Sequence, residues 1–409
     1  MSDSSTAGQP GGEAPPSRAR SDRSAQKFAR TVRVGLLAAL LVAITGFGLA
    51  HQLGVNVVGV DALCPFGGIE TFWALIAGHS LIQRVAMSSV VLLVGVVLTA
   101  LLFRRAFCGY ICPLGALQEF SAKLGNLFFH GKRPEMPAWL DRPARYLKYA
   151  VLAGFTIWSW QAASLVMRPY DPWVAWMHLS SSEVIAEFSI GLAVLGVSLV
   201  GSVVYDRFFC KYACPMGAFL GVISRVSVFK VRRNATTCTS CSACDKVCPV
   251  NVKISTVNVV DDPECINCNE CVNVCPVKDT LTVSAPGAVG KRASLKPLMA
   301  MGAAVGLLVA VVLATSLTGA FAWTLPTLAS ATQGSGAGAT FDVATIRGSM
   351  SFADIAMATG ISGREFEKKF GVNESDMTKP MKQIAESHGF DVENDVRAFV
   401  KEKLGTAAK

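Results

Sequence analysis

Charge is what this chain has least of. Asp, Glu, Lys and Arg make up 16% of its 409 residues and hydrophobic residues 51%, where an ordinary soluble domain carries about 25% charge. That balance argues against a plain water-soluble fold and for a membrane. Histidine is scarce as well, with five in the chain, and none shows the paired spacing through facing apolar stretches that a haem held by two His would need. Lys and Arg are missing altogether from residues 53–83. Residues 1–30, rich in Ser, Gly, Pro and Arg, have almost nothing to bury and are expected to form a disordered tail.

Apolar runs are what the chain has in excess. Five, at about 33–52, 84–103, 147–167, 187–205 and 297–319, are long enough for a hydrocarbon core of about 30 Å. The first follows a long polar leader and exceeds a signal-peptide core, so it reads as an uncleaved anchor. Lys and Arg cluster before the first run, between the second and third, and after the fourth; between the third and fourth only Arg168 occurs. By the positive-inside rule the N-terminus and residues 229–286 are cytoplasmic and the C-terminal segment is extracytoplasmic. The chain is therefore expected as a multi-pass protein of the bacterial inner (cell) membrane, with lipid as a partner. Its net charge of +9 is read as a topology signal, and no nucleic acid is expected.

Thirteen cysteines then stand out, twelve of them on the expected cytoplasmic side, where thiols stay reduced. Cys238, Cys241, Cys244 and Cys248 precede Pro249, and Cys265, Cys268, Cys271 and Cys275 precede Pro276: two copies of C-x2-C-x2-C-x3-C-P. Two-residue spacers bring three thiolates inward from one tight loop, and the fourth Cys reaches the other cluster. The expected sets are Cys238, Cys241, Cys244 with Cys275 for one 4Fe–4S cluster, and Cys265, Cys268, Cys271 with Cys248 for the second. A zinc ribbon is the competing reading, since C-x2-C pairs also bind zinc; two identical four-Cys runs closed by Pro favour clusters and one-electron chemistry.

A second repeat lies in the apolar region. Phe107-Cys108-Gly109-Tyr110-Ile111-Cys112-Pro113-Leu114-Gly115-Ala116 matches Phe209-Cys210-Lys211-Tyr212-Ala213-Cys214-Pro215-Met216-Gly217-Ala218 at seven of ten positions. Each copy ends a run directed from outside to inside, so the repeats are parallel and predict a pseudo-two-fold axis along the membrane normal. Pro at a first helical position puts Cys112 and Cys214 at helix starts, where the dipole would favour thiolate. If the halves meet, Cys108, Cys112, Cys210 and Cys214 converge and hold a further thiolate-bound metal centre or act as redox thiols; simple packing is the plainer reading. The outer loops carry a faint echo, Cys64-Pro65-Phe66 and Asp171-Pro172-Trp173.

The combination of C-x3-C-P pairs in a polytopic membrane region with a two-cluster module resembles the NapH/NosR-type membrane iron–sulfur proteins, over residues 34–286. The resemblance implies electron transfer between the quinone pool and a reductase or maturation system as redox partner, with quinol as a further ligand. A related copper-reducing assembly factor of oxidase biogenesis has similar motifs, and soft thiolates suit Cu(I), so the alternative is a thiol-dependent copper reductase or assembly factor. Several relatives carry an outer flavin-binding domain; none is expected in this chain. A third reading makes the clusters folding staples of an interaction subunit.

The expected fold class is an α-helical polytopic membrane protein with about five transmembrane helices. Its core (31–228) holds the parallel repeat and is followed by an inserted α+β two-cluster ferredoxin-like module (229–286). A last span (297–319), a flexible linker (320–340) and a small all-α domain (341–405) complete it. His51, Glu70, His79 and His178 lie near outer ends of spans, where a quinol would need a proton acceptor. In the C-terminal domain, Ser351 with Asp354 and Ser362 with Glu365 look like capping boxes, and Gly360, Gly371 and Gly389 like helix stops. Its charge is nearly balanced, so the helix-turn-helix-like stretch 351–370 suits partner docking better than DNA.

Overall fold

The computed structural model describes residues 22–52, 63–76, 87–130, 136–162, 166–179, 185, 188–286, 294–321, 323, 332–333, 340–341, 343, 346, 348, 350–379 and 381–405. It divides into two units, Met1–Trp323 and Thr324–Lys409. His79 and residues 1–21 of the expected tail lie outside the described residues.

All five apolar runs are helical, as Arg23–Gln52, Met87–Phe103, Ala138–Ala162, Ser189–Val204 and Pro297–Leu317. Among the described residues, two are long and apolar enough to cross a membrane, Arg23–Ala50 and Pro297–Leu317. The other three differ from expectation. Met87–Phe103 and Ser189–Val204 have 17 and 16 residues, about 25 Å of helix at 1.5 Å per residue. Met87–Phe103 stops just before the left-handed Arg104 (φ 60°), and Ser189–Val204 three residues before the left-handed Arg207 (φ 52°). Ala138–Ala162 carries Asp141, Arg142, Arg145 and Lys148 in its first half. The first helix begins at Arg23, well before residue 31 where the tail was expected to end. The reason is tertiary: Gln26 Nε2 donates to the Cys275 carbonyl at 2.9 Å, and Arg30 and Arg33 pair with Glu270 at 3.0 and 3.1 Å.

The module is built on a three-stranded antiparallel sheet. Lys230–Arg233 pairs with Leu281–Ser284, Lys230 opposite Ser284 and Arg233 opposite Leu281, and Ser294–Leu295 adds a third strand. The sheet closes a loop of chain that contains all eight cysteines of the two runs. Its apolar layer is continuous with the helices: Val231, Val283 and Ile266 share one core with Val96, Ala100 and Cys108.

In the second unit, helices Phe352–Thr359, Gly363–Phe370, Met381–His388 and Arg397–Leu404 surround Phe352, Phe366, Phe370 and Phe399. The Ser351/Asp354 capping box forms, with Asp354 N donating to Ser351 Oγ at 3.2 Å and Ser351 N to Asp354 Oδ2 at 3.0 Å. Gly360, Gly371 and Gly389 take φ of 75°, 66° and 69° and end their helices. Ser362 is an N-cap, but its side chain makes no capping bond. Most of the expected linker lies outside the described residues; Thr332–Gln333 in it pairs with Thr340–Phe341 at its end as a short ladder.

Candidate functional site

The two cluster loops share one backbone design. Ser240 and Ser242 in the first, and Asn267 and Asn269 in the second, have φ between 50° and 61°. Left-handed residues on either side of the middle Cys tighten each loop so that its thiols face inward; Asn tolerates this region better than most residues. Cys238, Cys241, Cys244 and Cys275 line one small cavity of ≈ 20 Å³ with Arg233, Val277 and Leu281. The fourth thiol thus comes from the other run. Reciprocally, the neighbours that act electrostatically on Cys248 are Cys268 and Cys265, and burial with those thiols pushes it up to about 12. Among the described residues no three His, Cys, Asp or Glu side chains converge as a single ion would require. Thiols lining the wall of a cavity fit a polynuclear cluster, in which each thiolate takes its own iron.

The four thiols of the membrane repeat lie within electrostatic range of one another. In both copies the second Cys donates its N–H to the Phe carbonyl five residues back, Cys112 to Phe107 at 2.9 Å and Cys214 to Phe209 at 3.0 Å. Both then cap a Pro-led helix, Pro113–Phe128 and Pro215–Ile223. Gln118 Nε2 donates to Cys210 Sγ at 3.2 Å, and Gly217 N to Cys214 Sγ at 3.3 Å. The expected lowering of these thiols is not found: burial, with Cys108 and Cys210 beside each, pushes Cys112 and Cys214 well up. Desolvation is the larger cause, with repulsion between neighbouring thiols second, and both oppose what a helix start favours.

The second cluster loop sits directly on the first C-x3-C-P loop. A Cβ on Gly109 would lie 2.6 Å from the Ile266 carbonyl and 3.5 Å from Cys268 Cα, so only glycine admits this approach. Tyr110 Oη donates to the Asn267 carbonyl at 2.8 Å and accepts from Asn269 Nδ2 at 2.8 Å. Buried ion pairs fasten the joint. Arg33 bonds Glu119 with both terminal nitrogens, at 2.8 and 2.6 Å. Arg207 meets Glu119 at 2.9 Å, Arg105 meets Glu264 at 3.2 Å, and Lys148 also holds Glu264. Sequence reading used these arginines only as topology markers. The one signal available was that Arg105 and Arg207 each stand three residues before the first Cys of a copy.

At the other end, Cys64 Sγ lies 3.6 Å from Asp171 Oδ2, so the two members of the faint outer echo touch. Glu70 is buried and accepts from Met167 N at 3.2 Å, and burial raises its carboxyl to about 7. His178 is buried, with Nδ1 2.9 Å from the Val174 carbonyl and its ring stacked on Phe188. His51 falls in the last turn of the first helix.

A family model described as a 4Fe-4S binding domain matches residues 85–134 and again 189–234, the two membrane copies. One described as a 4Fe-4S dicluster domain matches residues 230–276. YccM of Escherichia coli strain K12, named as a candidate electron transport protein, is 30% identical over 230 residues, 55% of this chain and 64% of its own length. The uncharacterized Methanocaldococcus jannaschii protein MJ0750 is 34% identical over 197 residues, 47% of this chain and 75% of its own. The ferredoxin-type protein NapH of Escherichia coli is 27% identical over 183 residues, 44% of this chain and 59% of its own. The chain thus spans less than two thirds of YccM and of NapH. No solved structure matches. Loops, cavity and matches together define a 4Fe–4S iron–sulfur protein. Within that class the chain belongs to the NapH-type family of ferredoxin-like 4Fe–4S proteins.

Proposed function

We propose that this protein is a membrane-bound relay that carries electrons between the quinone/quinol pool and a redox partner protein through two cytoplasmic 4Fe–4S clusters. One cluster is held by Cys238, Cys241, Cys244 and Cys275, the other by Cys265, Cys268, Cys271 and Cys248. When bound, they supply one-electron steps at potentials set by burial and by hydrogen bonds to sulfur. The observation that carries the reading is the seat of the Cys265–Cys271 loop on Cys108-Gly109-Tyr110, which brings the module's backbone into contact with the first membrane repeat. The two loops differ in exposure in the sense a relay needs. Cys268 and Cys271 are buried, whereas Cys241 is exposed, where a partner can approach.

Cys108, Cys112, Cys210 and Cys214 form the step between lipid and module, as ligands of a further metal centre or as redox thiols. Glu70 and His178 are the groups offered as proton acceptors for quinol. Five helices span a bacterial inner membrane in this reading, and outward apolar faces such as Val94, Leu98 and Leu102, or Val309, Leu313 and Leu317, suit acyl chains. The N-terminus and module are cytoplasmic and the C-terminal unit is an extracytoplasmic docking domain.

The test is quinol-linked reduction of the clusters in the full chain reconstituted into liposomes. Cys112→Ser and Cys214→Ser should each stop it while both module clusters stay reducible by dithionite. Undiminished turnover in the variant with all four thiols replaced by Ser would return those thiols to packing residues. Reduction of Cu(II) in place of quinol oxidation would favour the metal-reductase alternative.

A further inference from the structure

The two halves of the membrane repeat exchange arginines. Arg105 belongs to the first copy, yet a Cβ on Gly217 of the second would lie 2.7 Å from its Nη2. Arg207 belongs to the second, yet a Cβ on Gly115 of the first would lie 2.7 Å from its Nη1. Arg207 Nη1 also donates to the Cys108 carbonyl at 2.6 Å. Positions 105 and 207 are equivalent in the repeat, as are 115 and 217, so each guanidinium lies in a glycine cradle of the opposite half.

These cations are in excess where they lie. Arg33, Arg105, Lys148 and Arg207 are all at most 3% exposed, and they face three carboxylates, Glu119, Glu264 and Glu270. The Nε atoms of Arg105 and Arg207 are buried with no hydrogen-bond partner. A buried guanidinium nitrogen left bare costs stability unless something negative faces it. The charges acting on Arg105 include Cys108, Cys214 and Cys210, and Cys210 also acts on Arg207. Four thiolates around a 4Fe–4S core form a dianion that becomes a trianion on one-electron reduction.

We propose that Arg105 and Arg207, exchanged across the pseudo-two-fold, are positioning residues whose fixed charges balance an anionic centre held by Cys108, Cys112, Cys210 and Cys214 and raise its reduction potential. The proposal rests on the reading that those thiols hold a metal centre. Fixed positive charge in a low-dielectric site favours the more negative, reduced state. Neither arginine is the sole support of its carboxylate, since Lys148 also holds Glu264 and Arg33 also holds Glu119, so either can be replaced without stranding a buried acid.

The experiment is a dithionite titration, followed by electron paramagnetic resonance and iron analysis, of the anaerobically purified full chain and its Arg105→Gln, Arg207→Gln and corresponding Lys variants. The unsubstituted chain is expected to show a third centre beyond the two module clusters. Each Gln variant should make that centre at least tenfold harder to reduce, about 59 mV for one electron, with smaller shifts in the module clusters, and each Lys variant should restore it to within about twofold. A third centre with an unshifted potential, or one shifted equally by Lys and Gln, overturns the charge role alone. Iron for the module clusters only, with no third signal, overturns the metal-centre reading and this proposal with it. If the Gln variants lose the centre during purification, the Lys variants decide: a tenfold shift there, with charge retained, refutes the proposal.

Discussion

The two copies of the membrane repeat share their backbone and differ in what they offer the module. Gly109 in the first copy is Lys211 in the second. The glycine lets the Cys265 loop close in, whereas the lysine reaches out to Asn251 Oδ1 at 2.9 Å, beside the Cys248 turn. Glu119 in the first copy is Gly221 in the second. Arg207 therefore finds its carboxylate inside the repeat, but Arg105 has none there and takes Glu264 from the module, whose neighbour Pro263 lies over Gly221. A duplicated unit keeps its thiols symmetric because both halves contribute alike, and becomes asymmetric where a third element must dock. The two cluster runs follow the same logic, since Cys275 of the second run completes the cavity of the first.

The sharpest way to break this picture of exchange is at the fourth thiols. Cys248→Ser should damage the cluster of Cys265, Cys268 and Cys271 and spare the other, and Cys275→Ser should do the reverse. Iron content and cluster-resolved spectroscopy measure this, and loss confined to a variant's own run would end the crossed assignment.

Next in size are the carboxylates that replace one another. Glu264→Gln leaves Arg105 and Lys148 buried without their partner, and Glu119→Gln does the same to Arg207 and one contact of Arg33. Removing one side of a buried pair costs about 3–5 kcal/mol. Glu264→Gln should loosen the module, read as faster amide exchange across 229–286, and Glu119→Gln should loosen the first helix instead. Identical exchange patterns would mean that the asymmetry carries no docking role.

Gly109→Ala comes third. Its Cβ would meet backbone at Ile266, and overpacking of this kind costs about 1–3 kcal/mol. Lys211→Ala, at the equivalent position, removes a contact without a clash and should cost less. Thermal unfolding of both variants orders them, and the reverse order would show that Lys211 is the stronger anchor.

The smallest effect is on pH. Burial alone would raise Glu119, but Arg207 and Arg33 outweigh it and hold the carboxyl at about 2, below its ordinary 4.5. A carboxyl depressed in the folded state gives its full contribution above pH 4.5 and loses it as pH falls towards 2. Acid unfolding of the parent chain should steepen in that interval, and Glu119→Gln should flatten it.

How far the sequence was legible followed from how far apart the interacting residues lie. The punctuation of the C-terminal helices was legible because a cap or a left-handed Gly acts within a few residues, as at Ser351, Gly360 and Gly371. The cluster loops and the repeat were legible for the same reason. The early start of the first helix was not, because Arg33 and Glu270 lie 237 residues apart. Nor was the upward shift of Cys112 and Cys214, which local reasoning from the helix start put in the opposite direction.

By itself the sequence determined which residues are chemically able to act: eight thiols in two spaced runs, four more in a duplicated pair, and apolar runs that end in arginine. Spacing along a chain fixes local geometry, so these followed without a fold. Only the tertiary structure decided how the copies share their parts. It gave Arg105 to the second half, Arg207 to the first and Glu264 to Arg105. Duplication leaves two equivalent copies that sequence cannot tell apart as partners, and only packing, with buried charge seeking the nearest opposite charge, chooses between them.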